Sequence, residues 1–217
     1  MTSSRRHAAT LLALLAMLHG CASYEGAPNR AWFPPPATAA EGRTPGAVTL
    51  RVPPQVQSSV SAVGKLLKLQ TGAIAELAMR AALGDGLADW TRQVDEPPPP
   101  AAGHDATLVI DAVRFEHHER TVWYLWVPPL SQVVRYEAST TLAFDVTLLD
   151  ARGGLVWTRT YDDDPARWVW TTPSADSTPL PEDIGRVAHE SASRLAQRVS
   201  RDVREWIRTE RMQPRSL

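Results

Sequence analysis

Apolar residues recur at helical spacing over residues 184–206. A repeat sustained over about six turns predicts an amphipathic helix with one continuous apolar face. Pro181 suits the first turn, and Glu182 and Asp183 complement the positive end of the helix dipole. A helix of this kind buries its apolar face against another layer, as in folds where helices cover a sheet. The predicted stripe consists of Ile184, Val187, Ala188, Ser191, Leu195, Val199, Val203 and Trp206.

Two stretches, residues 105–119 and 136–150, have the alternation and composition of β-strands. A Gly-rich turn at residues 150–154 follows the second stretch and leads into residues 155–161. Because short Gly-containing turns join antiparallel strands, this pattern is the strongest hairpin signal in the chain.

The first half of the chain contributes one strand and one helix to the prediction. Residues 47–54 alternate and end in two prolines, and residues 58–70 are ambiguous. Thr71 is a suitable N-cap for a helix whose apolar face Leu87 and Trp90 could extend. The predicted order is therefore β-α-β-β-β-α, an α+β fold with a mostly antiparallel sheet and two helices packed on one face.

The N-terminus has the three parts of an export signal. Arg5 and Arg6 form a positive region, residues 8–18 are apolar, and Gly20 supplies a small residue for cleavage. An apolar run of eleven residues covers only about half of a bilayer core as a helix, which argues against a membrane span. We therefore predict a signal peptide over residues 1–20.

The only cysteine, Cys21, directly follows Gly20. By its position it is either an incidental thiol beside an ordinary cleavage site or the attachment point of a lipid. The stretch Leu18-His19-Gly20-Cys21 resembles the lipobox of bacterial lipoproteins, although His19 occupies a position that usually holds a small residue. The resemblance implies cleavage before Cys21, a diacylglycerol thioether on its sulfur and a third acyl chain on its amine. Two or three chains anchor durably.

The predicted layout has four parts. Residues 1–20 are the signal, 21–46 the lipidated cysteine with a flexible Pro- and Ala-rich tether, 47–207 one α+β domain, and 208–217 a polar tail. A tether of about 25 residues has a root-mean-square reach of roughly 25–30 Å.

Together with the lipobox and tether, the segments ATLVIDAVRF and FDVTLLDARGGLVWTRTY resemble the small α/β envelope lipoproteins. That class includes the YajG-like group, the auxiliary lipoproteins of ABC transporters and the lipoprotein that plugs the lipopolysaccharide-export barrel. The resemblance implies a non-enzymatic binding or assembly role in the envelope.

Charge and motifs argue against several functions. The formal net charge is −1, without a basic stripe, so we expect no nucleic-acid partner. The EHHE stretch at 116–119 places adjacent histidines on opposite faces of a strand, and neither it nor His189 has the second His of a zincin helix; His104 stands apart. We therefore expect no metal and no cofactor.

Catalytic motifs are also missing from the sequence. It has no Gly-x-Ser-x-Gly elbow and no phosphate-binding glycine loop. Asp145, Asp150 and the run at 162–164 could in principle offer a carboxylate pair, but Asp150 is explained by its turn and the run by loop solvation or weak cation binding. We expect a protein that is not an enzyme.

An aromatic stretch at residues 121–134 occupies a connection that should be polar. It contains Trp123, Tyr124, Trp126 and Leu130, and two prolines turn the chain. It either extends a hairpin or folds over the domain as a lid, or it forms an exposed contact surface for a protein or an acyl chain, which residues 168–170 join.

These observations predict a lipid-anchored protein on the periplasmic face of the outer membrane. The resemblance to lipoproteins implies outer-membrane sorting, because Ala22 stands where an Asp would favour retention at the inner membrane. Besides the membrane, which it reaches through acyl chains on Cys21, we expect an envelope protein as partner. A carrier with a hydrophobic cavity between sheet and helices is the alternative, and a hydrolase would need a polar pocket with two convergent carboxylates.

We expect mass spectrometry of the mature protein to find acyl chains on an N-terminal Cys21, because the lipobox resemblance implies cleavage and modification there. A mature protein that retains Cys21 as a free thiol would contradict the predicted anchor.

Overall fold

Nine strands and three helices form the part of the chain that the computed structural model describes, residues 24–26, 42–63, 67–93, 105–126, 132–164, 166–172 and 181–212. The helices are α1 Pro54–Gln57, α2 Thr71–Gly86 and α3 Pro181–Met212. The strands are β1 Tyr24–Gly26, β2 Thr44–Arg51, β3 Ser61–Val63, β4 Leu67–Leu69, β5 Leu87–Gln93, β6 Ala106–Trp126, β7 Gln132–Asp150, β8 Leu155–Asp162 and β9 Ala166–Thr172.

The main sheet is mixed. Its order is β5-β2-β6-β7-β8, and β9 pairs with β7 beyond β8. Strand β2 runs parallel to both β5 and β6, whereas β6, β7, β8 and β9 pair in antiparallel fashion. A small second sheet has the order β1-β4-β3, with β1 parallel to β4. The α+β class is confirmed, but the mostly antiparallel sheet and the order β-α-β-β-β-α are wrong.

The parallel pairing arises because β5 follows α2 directly. Leu87 and Trp90, which we expected to extend the helix, lie on β5 instead, since the helix ends at Gly86. Crossing back through α2 brings β5 alongside β2 in the same direction. The carboxylate of Glu76 on α2, 5% exposed, joins these elements by accepting hydrogen bonds from Arg92 of β5 at 3.1 Å and Gln57 of α1 at 3.0 Å.

The helix start at Thr71 also differs in detail from the prediction. Gln70 holds the N-cap position, and Thr71 is the first helical residue. Its buried Oγ1 lies 3.2 Å from Oγ of Ser61. The side chain therefore joins the helix to β3 instead of capping it.

The amphipathic helix predicted from residues 184–206 is confirmed. Helix α3 begins at Pro181, and the stripe residues from Ile184 to Val203 are all buried, while Trp206 is half-buried. The helix continues past Ile207 to Met212. The predicted hairpin at residues 150–154 is confirmed as well, because Asp150 accepts hydrogen bonds from the backbone N–H groups of Arg152 and Gly154 at 2.8 and 2.7 Å.

The two faces of the main sheet differ in polarity. Threonine and aspartate side chains bond across strands on the outer face, where Thr147 donates to Asp111 at 2.6 Å and Thr160 donates to Asp145 at 2.6 Å. The inner face is apolar and packs against α2 and α3, as expected for a sheet covered on one side. The fully buried side chains there include Leu50, Leu108, Ile110, Phe144 and Leu148 from the sheet and Ile74, Met79, Leu83, Leu195 and Val199 from the helices.

Helix packing makes two glycine sites respond in opposite ways to Ala. A Cβ at Gly72 would collide with the backbone oxygen of Val56, whereas one at Gly185 in α3 would meet no atom of the described residues within 4 Å. We expect Gly72→Ala to lower the free energy of unfolding by about 3 kcal/mol, since a backbone atom cannot rotate away. Gly185→Ala should raise it by about 0.5–1 kcal/mol through helix propensity. Urea unfolding measures both, and equal effects would contradict the packing described.

Candidate functional site: an aromatic three-stranded ribbon

The longest strands, β6 and β7, stay paired well beyond the part of β6 that pairs with β2. They contain 21 and 19 residues and remain paired from Ala106–Asp150 to Trp126–Gln132. At about 3.3 Å per residue, β6 is roughly 65 Å long. We call the distal part of this pairing, residues 116–126 and 132–141 together with β9, the ribbon.

The ribbon begins where the main sheet loses its other strands. Strand β2 pairs with β6 only as far as Val109, and the register of β6 shifts between Ile110 and Ala112. On the other side, the partner strand of β7 is interrupted between β8 and β9. Asp163, in this interruption, donates its backbone N–H to the oxygen of Leu142 at 3.1 Å and accepts a 2.6 Å bond from Arg194 of α3. Helix α3 therefore holds the base of the ribbon.

The strand pairing places the aromatic residues of three strands together on the ribbon. Trp123 pairs with Arg135, Trp126 with Gln132, and Tyr136 with Trp170. The backbone therefore extends the hairpin through residues 121–126, as the first alternative had it. The ribbon carries Trp123, Tyr124, Trp126, Tyr136, Trp168 and Trp170, whereas Leu130 lies outside the described residues.

Sequence reasoning missed two features of this site. Tyr136 escaped notice because it opens the predicted strand 136–150, whose alternating composition is ordinary. Only the register shows its pairing with Trp170. The ion pair between Asp163 and Arg194 was missed because its members are far apart in the chain. The run of aspartates at 162–164 and the arginines of the last helix were its visible signals.

The EHHE stretch lies at the start of the ribbon, with its two histidines on opposite faces as predicted. The side chain of His117 is 3% exposed and that of His118 is 74% exposed. His117 contacts Thr140 Oγ1 at 2.8 Å through Nδ1 and Glu119 Oε1 at 2.9 Å through Nε2. Within the described residues, no three His, Cys, Asp or Glu side chains are grouped to hold a metal ion. His104 lies outside them.

Three of the candidate carboxylates, Asp145, Asp150 and Asp163, are engaged in ion pairs or a turn. Asp145 accepts two hydrogen bonds from Arg114, at 2.7 and 3.0 Å. Burial raises the pKa of Asp163, but the hydrogen bonds from Arg194 and Ser191 outweigh it and the pKa is lowered. Proton donation by a carboxylic acid near neutral pH needs a raised pKa, so Asp163 does not suit that role. A cleft of about 230 Å³ adjoins these groups, lined by Arg114, Glu116, Thr141, Leu142, Ala143, Asp162 and Asp163.

The remaining predicted sites concern the membrane. Cys21 lies outside the described residues, and β1 begins three residues later, at Tyr24. Strand β1 thus lies within the segment that the sequence predicts to be a flexible tether. No helix in the described ranges combines the length and apolar character needed to cross a membrane.

Comparison with solved structures gives matches to bacterial lipoproteins at low identity. No protein-family model and no curated protein matches the chain. Among solved structures, a minor lipoprotein from Acinetobacter baumannii is 12% identical with a TM-score of 0.32, over 74% of this chain and 93% of the other. The uncharacterised lipoprotein B from Nitrosomonas europaea is 15% identical with a TM-score of 0.37, over 76% and 90%. Likeness at this level assigns no function.

His189, considered above as a metal ligand, should instead make stability depend on pH. It is 3% exposed, and burial lowers its pKa although its Nδ1 contacts the oxygen of Gly185 at 2.7 Å. The folded state therefore binds fewer protons, so stability is complete above the unfolded-state pKa of about 6.5 and is lost as the pH falls from there toward the folded-state pKa. We expect His189→Leu to reduce this loss between pH 7 and 5.5, measured by urea unfolding. A slope identical to that of the unmodified protein would contradict this assignment.

Proposed function

We propose that this protein is a lipid-anchored component of the bacterial envelope that acts by binding, with the ribbon as its contact surface. The observation that carries the proposal is the ribbon itself, in which the backbone pairing of three strands brings six Trp and Tyr positions together. Trp and Tyr are enriched at protein interfaces because they combine a large apolar area with a polar group.

The packing of the core supports binding at the protein surface. Among the described residues, buried side chains of the sheet and of both long helices pack into one apolar cluster, which favours a surface contact over a carrier's cavity.

The lipobox resemblance at Cys21 supplies the anchor, and Ala22 after it favours the outer membrane. The resemblance to auxiliary lipoproteins of transporters makes a lipid or lipopolysaccharide transport system the first class of partner to test. The exposed residues Glu116, His118 and Arg120 on the ribbon are the surface to probe first, since their side chains are 66–75% exposed.

Photo-crosslinking in intact cells tests this proposal. A photoreactive residue at His118 should capture an envelope protein, whereas the same group at Arg152, exposed in the turn at the far end of β7, should not. The double variant Trp123→Ala, Trp126→Ala should lose the crosslink, because large aromatic side chains dominate binding surfaces, and circular dichroism checks that it remains folded.

Equal capture from His118 and Arg152, or capture unaffected by a folded double variant, would contradict the ribbon as the binding surface. Recovery of the protein without an acylated Cys21 would contradict the anchor separately.

A further inference from the structure

The strand nearest the anchor is tied into the domain. Tyr24, Glu25 and Gly26 of β1 pair in parallel with Leu67–Leu69 of β4. Only Ala22 and Ser23 separate Tyr24 from Cys21. Three residue steps span at most about 10 Å. An acylated Cys21 would therefore hold the small sheet near the bilayer, not at the 25–30 Å that a free tether of some 25 residues averages.

The small sheet has its own apolar cluster, which joins it to the first turns of α3 and to the base of the ribbon. Val63, Leu67 and Leu69 pack with Ile184 and Ala188. Phe115 of β6 packs against this cluster and against the main core. The small sheet is thus fixed beside the point where the ribbon begins.

The contacts of helix α3 show at which end of the domain the small sheet and the ribbon base lie. Near its C-terminal end, Arg208 donates to Thr44 at the start of β2 at 3.1 Å, and Asp202 accepts from Tyr161 at 2.8 Å. Arg194 then reaches Asp163 at the ribbon base. The N-terminal turns of α3 therefore lie toward the ribbon.

The hairpin turn at residues 150–154 is at the other end of β7. Val133 on the ribbon is about 55 Å of strand away from Asp150. The anchor, the small sheet and the ribbon consequently share one end of the molecule, and the turn marks the opposite end.

We infer that the bilayer carrying the anchor covers the outer ribbon, residues 121–126 and 132–136. This inference rests on the proposed lipid anchor at Cys21. Trp and Tyr concentrate at the interface between lipid and water, and the outer ribbon contains Trp123, Tyr124, Trp126 and Tyr136. Its one charged residue is Arg135. This composition fits the lipid headgroup region.

The lengths also define how the ribbon meets the bilayer. From Phe115 to Trp126 the strand advances about 36 Å. If the ribbon stood perpendicular to the surface with its tip at headgroup depth, its base would lie about 36 Å from the bilayer. The segment from β1 to Cys21 spans only about 10 Å, so the anchor would not reach the membrane in that orientation. The ribbon therefore lies along the bilayer surface, with its outer residues at headgroup depth.

Fluorescence quenching in vesicles tests the inference with the full mature protein. Acylated protein is reconstituted in vesicles of phosphatidylethanolamine and phosphatidylglycerol that contain nitroxide-labelled lipid. An environment-sensitive dye is attached through Val133→Cys on the ribbon or, as the matched control, through Arg152→Cys at the far turn. Because acylation occupies Cys21, the new cysteine is the only free thiol. We expect several-fold stronger quenching at position 133 than at position 152.

Two insertions test the role of β1. About 15 Gly and Ser residues placed between Ser23 and Tyr24 add a root-mean-square reach of roughly 20 Å and should reduce quenching at position 133. The same insertion between Gly26 and Ala27 should leave quenching unchanged, because β1 still ties the anchor to the small sheet. Circular dichroism checks that all variants are folded.

The outcomes separate this inference from the proposed function. Acylated protein with equal quenching at positions 133 and 152, or with equal effects of the two insertions, overturns the inference and leaves the anchor standing. So does a dye at position 133 that lipid does not quench while a photoreactive group there captures an envelope protein. An unmodified Cys21 in mass spectrometry overturns both the anchor and the inference.

Discussion

The pairing of β6 with β7 is the interaction on which the rest of the structure depends. Its core half turns Leu108, Ile110, Phe144, Val146 and Leu148 into one apolar face, which α2 and α3 cover. The same pairing, continued outward, is the ribbon. Because side chains alternate across a strand, a slip of one residue would move every buried residue to the polar outer face. The register that builds the core therefore also decides which residues pair on the ribbon.

Sequence reasoning succeeded where the determining interactions are local. The stripe of α3 and the turn at residues 150–154 depend on spacing within one segment, so periodicity and turn chemistry predict them. The mixed sheet depends on a pairing of β5 with β2 that spans α2, and an apolar residue such as Leu87 fits a helix and a strand equally. Strand β1 escaped prediction because three residues without periodicity become a strand only beside β4.

The candidate site also combines features that depend on local sequence with features that depend on distant contacts. Alternation alone separated His117 from His118, and their 3% and 74% side-chain exposures agree with it. The continuation of the hairpin through residues 121–126 was one of several alternatives, since two prolines in a row are compatible with a lid as well as a turn. The pairing of Tyr136 with Trp170 needs the interruption between β8 and β9, which contacts with the distant Arg194 help to hold.

Phe115 joins the small sheet to the base of the ribbon. It contacts the main core and the cluster beneath the small sheet, and it lies on β6 at the point where the ribbon begins. A close-packed interior transmits displacement because its side chains have little free volume around them. A displacement of the small sheet is therefore transmitted to the ribbon base through the packing of Phe115 against the cluster that contains Ile184. An acyl anchor on Cys21, as proposed above, would therefore set the orientation of the domain, whereas a long flexible tether would set only its distance from the membrane.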